Sequence, residues 1–463
     1  MAEIIAIDTP TLGDRGYLAT DGEVALVVDA QRDFDRIIAL AAERGVVITH
    51  VFETHMHNDY VTGGLALAGA VGARYLVNGA DPVGFSRTPV ADGDLIEVGQ
   101  MRVRVIGTPG HTFTHLSYAL LAGEAAADGN GEVVAAFTGG SLLNGSTGRT
   151  DLVGPAHVRA LSHAQHGSAG RLARELPGDT VLCPTHGFGS FCAATPGTGA
   201  PSTIAQEQSM NPALTLPAEQ YVDQLLAALD AYPSYYAHMG PANLAGPPAP
   251  DLSPPRRADP AELRRRIDAG EWVVDLRART AFAAGHLRGS LNFEADGSLA
   301  TYLGWLIPWG TPLTLLGASA QEVAWAQREL CRIGIDRIAA AASGEIAQWS
   351  AGERLASFRT AHFRDLAAQA GNGPVVVLDV RRRSEWEESH LEGAVHIPLH
   401  ELAGRMGEIG DGEVWVHCHS GYRAAVAASM LAAAGRPVVA IDDDFGAAAA
   451  AGLRTSAAAA STG

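Results

Sequence analysis

The 463-residue sequence predicts an α/β chain of three domains, and three observations carry that prediction. Short β-rich runs alternate with helix-like segments over residues 1–243, the pattern of layered α/β structure. A proline- and glycine-rich stretch, GPANLAGPPAPDLSPP, interrupts it from Gly240 to Pro255. The remainder of the chain then repeats itself: Asp275, Arg277, Arg279, His286, Leu287 and Gly289 recur 104 residues later as Asp379, Arg381, Arg383, His390, Leu391 and Gly393. A length of roughly 150 residues per domain also gives about three domains.

Composition narrows the classes of function. Apolar residues make up 47% and charged residues 18%, which excludes a disordered, collagenous or coiled-coil chain. The formal charge of -18 repels nucleic acid and anionic membranes, so an anionic substrate must meet a local positive pocket. All 33 basic residues are arginines, which removes Schiff-base amines and phosphate-loop lysines from consideration; with the abundant Ala and Gly this matches a GC-rich bacterial coding sequence. The four cysteines, Cys183, Cys192, Cys331 and Cys418, form no C-x-x-C pair, and no leader or long apolar run is visible, so a cytoplasmic protein with reduced thiols is expected.

Taken in order, VALVVDA, VVITHVFETH, MRVRVIGTPG and TVLCPTH read as strands and DFDRIIALAAERG as a helix of a first domain, residues 1–243. A linker is expected over 244–258, since proline and glycine there cannot continue a helix or central strand. Two copies of one α/β module follow over 259–357 and 358–455. In each, a helix ends at a glycine, Gly334 or Gly435. The Ala/Gly/Ser-rich chain after Phe445 is expected to fray, leaving 456–463 as a flexible tail.

In the second copy EVWVH reads as a buried strand, CHSGYR as a tight loop and AAVAASMLAAAG as the helix that follows. Cys418 therefore lies beneath a helix N-terminus, where loop amides and the helix dipole favour a thiolate, and Arg423 adds positive charge. The loop residues His419, Ser420, Gly421 and Tyr422 would cradle its sulfur. The DVR at Asp379–Arg381, HLEGAVHIPL at His390–Leu399 and CHSGYR resemble the rhodanese family, which relays sulfane sulfur as a cysteine persulfide. In the first copy Gly317 stands where Cys418 stands and Glu322 where Arg423 stands, so that copy has no nucleophile and reads as an inactive module; Cys331 falls within its helix as core.

The densest cluster of ligand-type residues is THMHNDY, with His55, His57 and Asp59 directly after an apolar strand; His111 and His186 also follow strand-like runs. These motifs, with GRTDL at Gly148–Leu152 and GSFC, resemble the glyoxalase II-like and persulfide dioxygenase branch of the metallo-β-lactamase fold. The resemblance implies an αββα sandwich ahead of two tandem rhodanese-like domains, and a mononuclear iron enzyme that oxidises a low-molecular-weight thiol persulfide of glutathione or mycothiol type to sulfite. Sulfur would then pass through Cys418 to sulfite or another acceptor. The chain departs from the family's H-x-H-x-D-H at Tyr60 and from its F-T-G-D at Gly140, losing the metal-binding aspartate.

Three arrangements remain open. His55, His57 and His111 could hold one Zn(II) or Fe(II), serving thioester hydrolysis or persulfide oxidation. Asp59 or a water could replace the lost carboxylate and keep iron. Alternatively the domain binds no metal and serves as a persulfide-binding scaffold for Cys418. Cys192 reads equally as a persulfide carrier or a core thiol, and Arg149 with Asp151 as a substrate clamp or a structural ion pair. Cys183 reads as core, and His50, His115, His163 and His166 as structural or surface residues. The sequence is compatible with a homo-oligomer.

Overall fold

The computed structural model describes residues 2–122, 132–195, 199–369 and 375–456. The chain divides into two compact units, Met1–Asp251 with Leu330–Gly334, and Leu252–Glu329 with Ile335–Gly463.

In the first unit the strands Glu3–Thr9, Asp14–Thr20, Val24–Val28, Val47–Phe52, Arg74–Asn78 and Thr88–Val90 form one sheet in chain order. Leu95–Val98, Met101–Gly107, Leu116–Ala122, Glu132–Gly139 and Val181–Pro184 form a second, also in chain order. Alternating apolar residues of both sheets, Leu26, Phe52, Tyr118 and Phe137 among them, meet in a single buried layer. The outer faces bury Ile37 and Leu67 on one side and Leu172 and Val222 on the other, all from helices. The result is the expected αββα sandwich.

The second unit contains both repeats. In each, every strand pair of the main sheet is parallel. The orders are Leu291–Asn292, Trp272–Asp275, Leu313–Gly317, Ile338–Ser343 in the first repeat and Arg359–Ala361, Val438–Ile441, Val414–His417, Val376–Asp379, Val395–His396 in the second. Gly334 (φ 75°) and Gly435 (φ 78°) lie just past the two helices, Ala320–Arg332 and Tyr422–Ala433, in the left-handed conformation foreseen for them.

Two local expectations are corrected. The helix Tyr236–Ala245 runs through Gly240 and Pro241, and ends only at Gly246. Tertiary bonds outweigh local propensity there, because Asn243 donates to the carbonyls of His57 (2.8 Å) and Tyr60 (2.9 Å) and accepts from the Thr62 amide (2.9 Å). The chain after Phe445 does not fray at once: Ala447–Ala450 is helical with Ala448 fully buried, and Thr455–Ser456 pairs with His390–Leu391. The rest of the expected tail, 457–463, lies outside the described residues. Among the described residues no helix is long and apolar enough to cross a membrane.

Candidate functional site

Three loops leaving strand ends bring His55, His111 and His186 together, all buried. Their ligand atoms lie within 4.8 Å of one another. Each ring is oriented through Nδ1: His55 by Thr54 Oγ1 (2.9 Å), His111 by the Arg149 carbonyl (2.7 Å) and His186 by Asp14 (2.8 Å). Thr54 Oγ1 in turn donates to Asp29 (2.8 Å), so His55 rests on a second layer of support. The three Nε2 atoms are buried and have no hydrogen-bond partner, an arrangement expensive to leave empty and suited to one cation.

Electrostatics separate the three rings. Burial and neighbouring imidazoles hold His55 well below the ordinary histidine value and His111 down at about 3, so both are neutral donors. Burial also opposes charge on His186, but Asp59 and Asp14 outweigh it and raise it to about 10, making it the most basic of the three. Asp14 itself is pushed up to about 7 by burial and by Asp59.

His57 does not join this trio. Its Nε2 faces Asp29 (3.3 Å), Glu53 (3.3 Å) and the Tyr60 hydroxyl (2.9 Å), and the two carboxylates overcome burial to raise it to about 9. It belongs instead to the clusters Asp29–Glu53–His57 and His57–Asp59–His186. The grouping His55–His57–His111 is therefore replaced by His55–His111–His186. Asp59 lies beside His186 Nδ1 (3.2 Å), and neither of its oxygens has a hydrogen-bond partner. At Gly140 an added Cβ would stand 2.6 Å from His111 Cγ and 2.8 Å from its Nε2; the ring occupies the space an aspartate would need. Asp14, Asp29 and Asn243 escaped the sequence reading because each supports the pocket from a distant segment with no motif of its own, and Glu53, next to the histidines, because its role depends on His57 turning toward it.

Other candidates resolve simply. Arg149 is buried and bidentate to Asp151 (2.6 and 2.7 Å), and it also donates to the carbonyls of Phe191 and Asp230, as a structural pair does. Its main chain, not its guanidinium, touches the pocket's shell. Cys192 is fully buried, and burial with Asp59 and Asp14 nearby pushes its thiol well up, as for a core thiol. Burial likewise pushes Cys183 up to about 12. Cys331 is buried. His115 contacts Thr108 through Nδ1 (2.9 Å) and accepts from the Gly140 amide (3.0 Å). His50 meets Thr49 and Arg74, His166 the Leu216 carbonyl, and His163 the exposed Glu219.

In the second unit, strand Val414–His417 delivers Cys418 to the loop ahead of helix Tyr422–Ala433. The Gly421 amide donates to Cys418 Sγ at 3.2 Å, with Gly421 at φ 96°. Arg423 lies buried beside the loop, but its charge is matched by a bidentate pair with Glu385 (2.5 and 2.7 Å), a partner the sequence did not reveal. His419 and Ser420 are exposed, whereas Tyr422 is buried. In the first repeat the Ala318 amide binds Glu322 Oε2 (2.5 Å), so the chain's own carboxylate fills the position an anion would take.

A rhodanese-like domain model matches residues 259–351 and 363–451. Over 221 residues, 46% of this chain and 74% of the relative, the chain is 29% identical to the persulfide dioxygenase ETHE1 of Homo sapiens. It is equally 29% identical to a hydroxyacylglutathione hydrolase of Acidiphilium cryptum over 234 residues, 48% of this chain and 95% of that one. The crystal structure of a metallo-β-lactamase from Staphylococcus aureus superposes with a TM-score of 0.65 at 26% identity, covering 74% of this chain and 99% of its own. The chain is therefore a fusion of a metallo-β-lactamase-fold domain with two tandem rhodanese-like domains.

Proposed function

We propose that this protein oxidises the persulfide of a low-molecular-weight thiol in its N-terminal domain and carries sulfane sulfur on Cys418 in its C-terminal domain. The observation that carries the sulfur-transfer half is the contrast between the repeats: the Gly421 amide faces Cys418 Sγ, while the equivalent loop of the first repeat is filled by Glu322. The oxidation half is supported by the three partnerless Nε2 atoms and by likeness to a persulfide dioxygenase.

His55, His111 and His186 would hold one metal ion, with His57 and Asp59 alongside. Such an ion supplies Lewis acidity or redox chemistry at its open positions. The chain's own contribution is orientation: Thr54, the Arg149 carbonyl and Asp14 keep each Nδ1 occupied and each Nε2 directed inward. At the second site the Cys418 thiolate attacks the terminal sulfur of a persulfide, R–S–SH; a new S–S bond forms and R–S⁻ leaves with its electron pair. Sulfite then takes that sulfur as thiosulfate and returns the thiolate. Four cysteines without disulfides suit a reducing cytosol.

A donor set of three imidazoles without a carboxylate equally suits zinc, and the likeness to hydroxyacylglutathione hydrolases favours a second reading, thioester hydrolysis. Elemental analysis of protein purified without oxygen or chelator, beside His111→Ala, separates them. About one iron per chain, lost in the variant, with oxygen uptake on glutathione persulfide, supports oxidation. Zinc with hydrolysis of acyl-thiols and no oxygen uptake supports the hydrolase. No metal, with transfer that depends on Cys418 alone, would reduce the first domain to a persulfide-binding scaffold.

A further inference from the structure

The geometry points to Arg279 of the inactive repeat as a positioning residue for the Cys418 loop, so that the repeat without a nucleophile completes the site of the repeat that has one. The inference rests on Cys418 being the sulfur carrier.

Arg279 opens the short helix Arg279–Ala284. It reaches into the second repeat, where its Nε donates to Asp442 Oδ1 at 2.8 Å, while its Nη1 donates to Glu294 of its own repeat at 2.8 Å. Asp442 follows strand Val438–Ile441 and is tied down by its amide bond to the Ala361 carbonyl (2.9 Å). This ion pair backs directly onto Gly421. A Cβ added there would fall inside van der Waals contact with Asp442 Oδ1 and 3.1 Å from Arg279 Nε. Gly421 is the residue whose amide faces Cys418 Sγ, so the pair fixes the direction of the bond that stabilises the thiolate.

The internal duplication supplies a control. Arg383, at the matching position of the second repeat, pairs along its own helix with Glu387 (2.8 Å). Tyr302 of the first repeat also stands at this site, its ring 5.8 Å from that of Tyr422 and within electrostatic reach of Arg423 and Cys418. Two ion pairs, Arg423–Glu385 and Arg279–Asp442, therefore flank the Cys418 loop, with Arg382 also within electrostatic reach of Tyr302. Without Arg279, Asp442 becomes an unmatched carboxylate against the loop, which disfavours the thiolate.

The test uses the full chain and two readouts: the pH dependence of Cys418 alkylation by iodoacetamide, followed on its peptide by mass spectrometry, and kcat/KM for sulfur transfer from thiosulfate to cyanide. Arg279→Ala is expected to move the alkylation midpoint to higher pH and to lower kcat/KM about tenfold at unchanged Tm, with partial recovery in Arg279→Lys. Arg279→Gln carries the same expectation if the alanine variant folds poorly. An unchanged alkylation profile and unchanged kcat/KM would overturn the inference. If the wild type moves no sulfur, the proposed transfer fails, and the alkylation midpoint still decides the role of Arg279.

Discussion

The two rhodanese-like repeats share their foundations and differ in one loop. Both seat an aspartate at a strand end and tie it to the arginine two residues on, Asp275 with Arg277 at 2.6 Å and Asp379 with Arg381 at 2.7 Å. The difference begins where the next strand ends. Cys418, Arg423 and Glu385 of one repeat are replaced by Gly317, Glu322 and Ala281 of the other, and the buried ion pair disappears together with the nucleophile. In its place Glu322 bonds the loop amide from within. One buried scaffold thus carries two different loops, and the surface of one repeat can serve the neighbouring site, as Arg279 does.

The largest effect expected lies in that loop. Cys418→Ser should lower sulfur transfer from thiosulfate to cyanide by at least about a thousandfold. Adding Gly317→Cys should restore nothing, because a Cβ there would stand 2.9 Å from Val323 Cγ2 and 3.0 Å from Glu322 Oε2. Recovered turnover in the double variant would break the comparison.

The shared foundation predicts equality instead. Asp379→Asn and Asp275→Asn should each cost about 3–5 kcal/mol in denaturant unfolding, since each leaves a largely buried arginine without its anion. A large loss in one repeat and none in the other would show that the foundations are not equivalent.

Acid sharpens the contrast further. Burial opposes the charge of Glu385, but Arg423 holds its carboxyl down at about 2, below the ordinary 4.5. A depressed carboxyl contributes stability above its unfolded value and loses it as pH falls from about 4.5 toward 2, here on the order of 3 kcal/mol. Thermal unfolding between those pH values should show this loss in the wild type and a smaller one in Glu385→Gln. The smallest effect belongs to the filled loop: Glu322→Gln weakens a single hydrogen bond and should cost about 1 kcal/mol by the same measurement.

The sequence alone determined the layered first domain, the duplication and the place of Cys418, because period, turn glycines and a strand–loop–helix reading are local properties. Gly334 and Gly435 took the helix-ending conformation expected of them. It also singled out His55, His57, Asp59, His111 and His186, after strand-like runs, as metal-ligand candidates. Which histidines share a pocket was decided only in three dimensions. His55 and His57 are two residues apart, yet Asp29 and Glu53 draw one ring away while Thr54 turns the other inward. Asn243 likewise carries a helix through Pro241 with bonds to residues some 180 positions earlier. Glu385 beneath Arg423 had no motif to announce it, and Arg279, though a repeated position, carried nothing in the sequence that placed it behind Gly421. Ion pairing and ring orientation depend on which distant segments meet, and sequence spacing does not encode that.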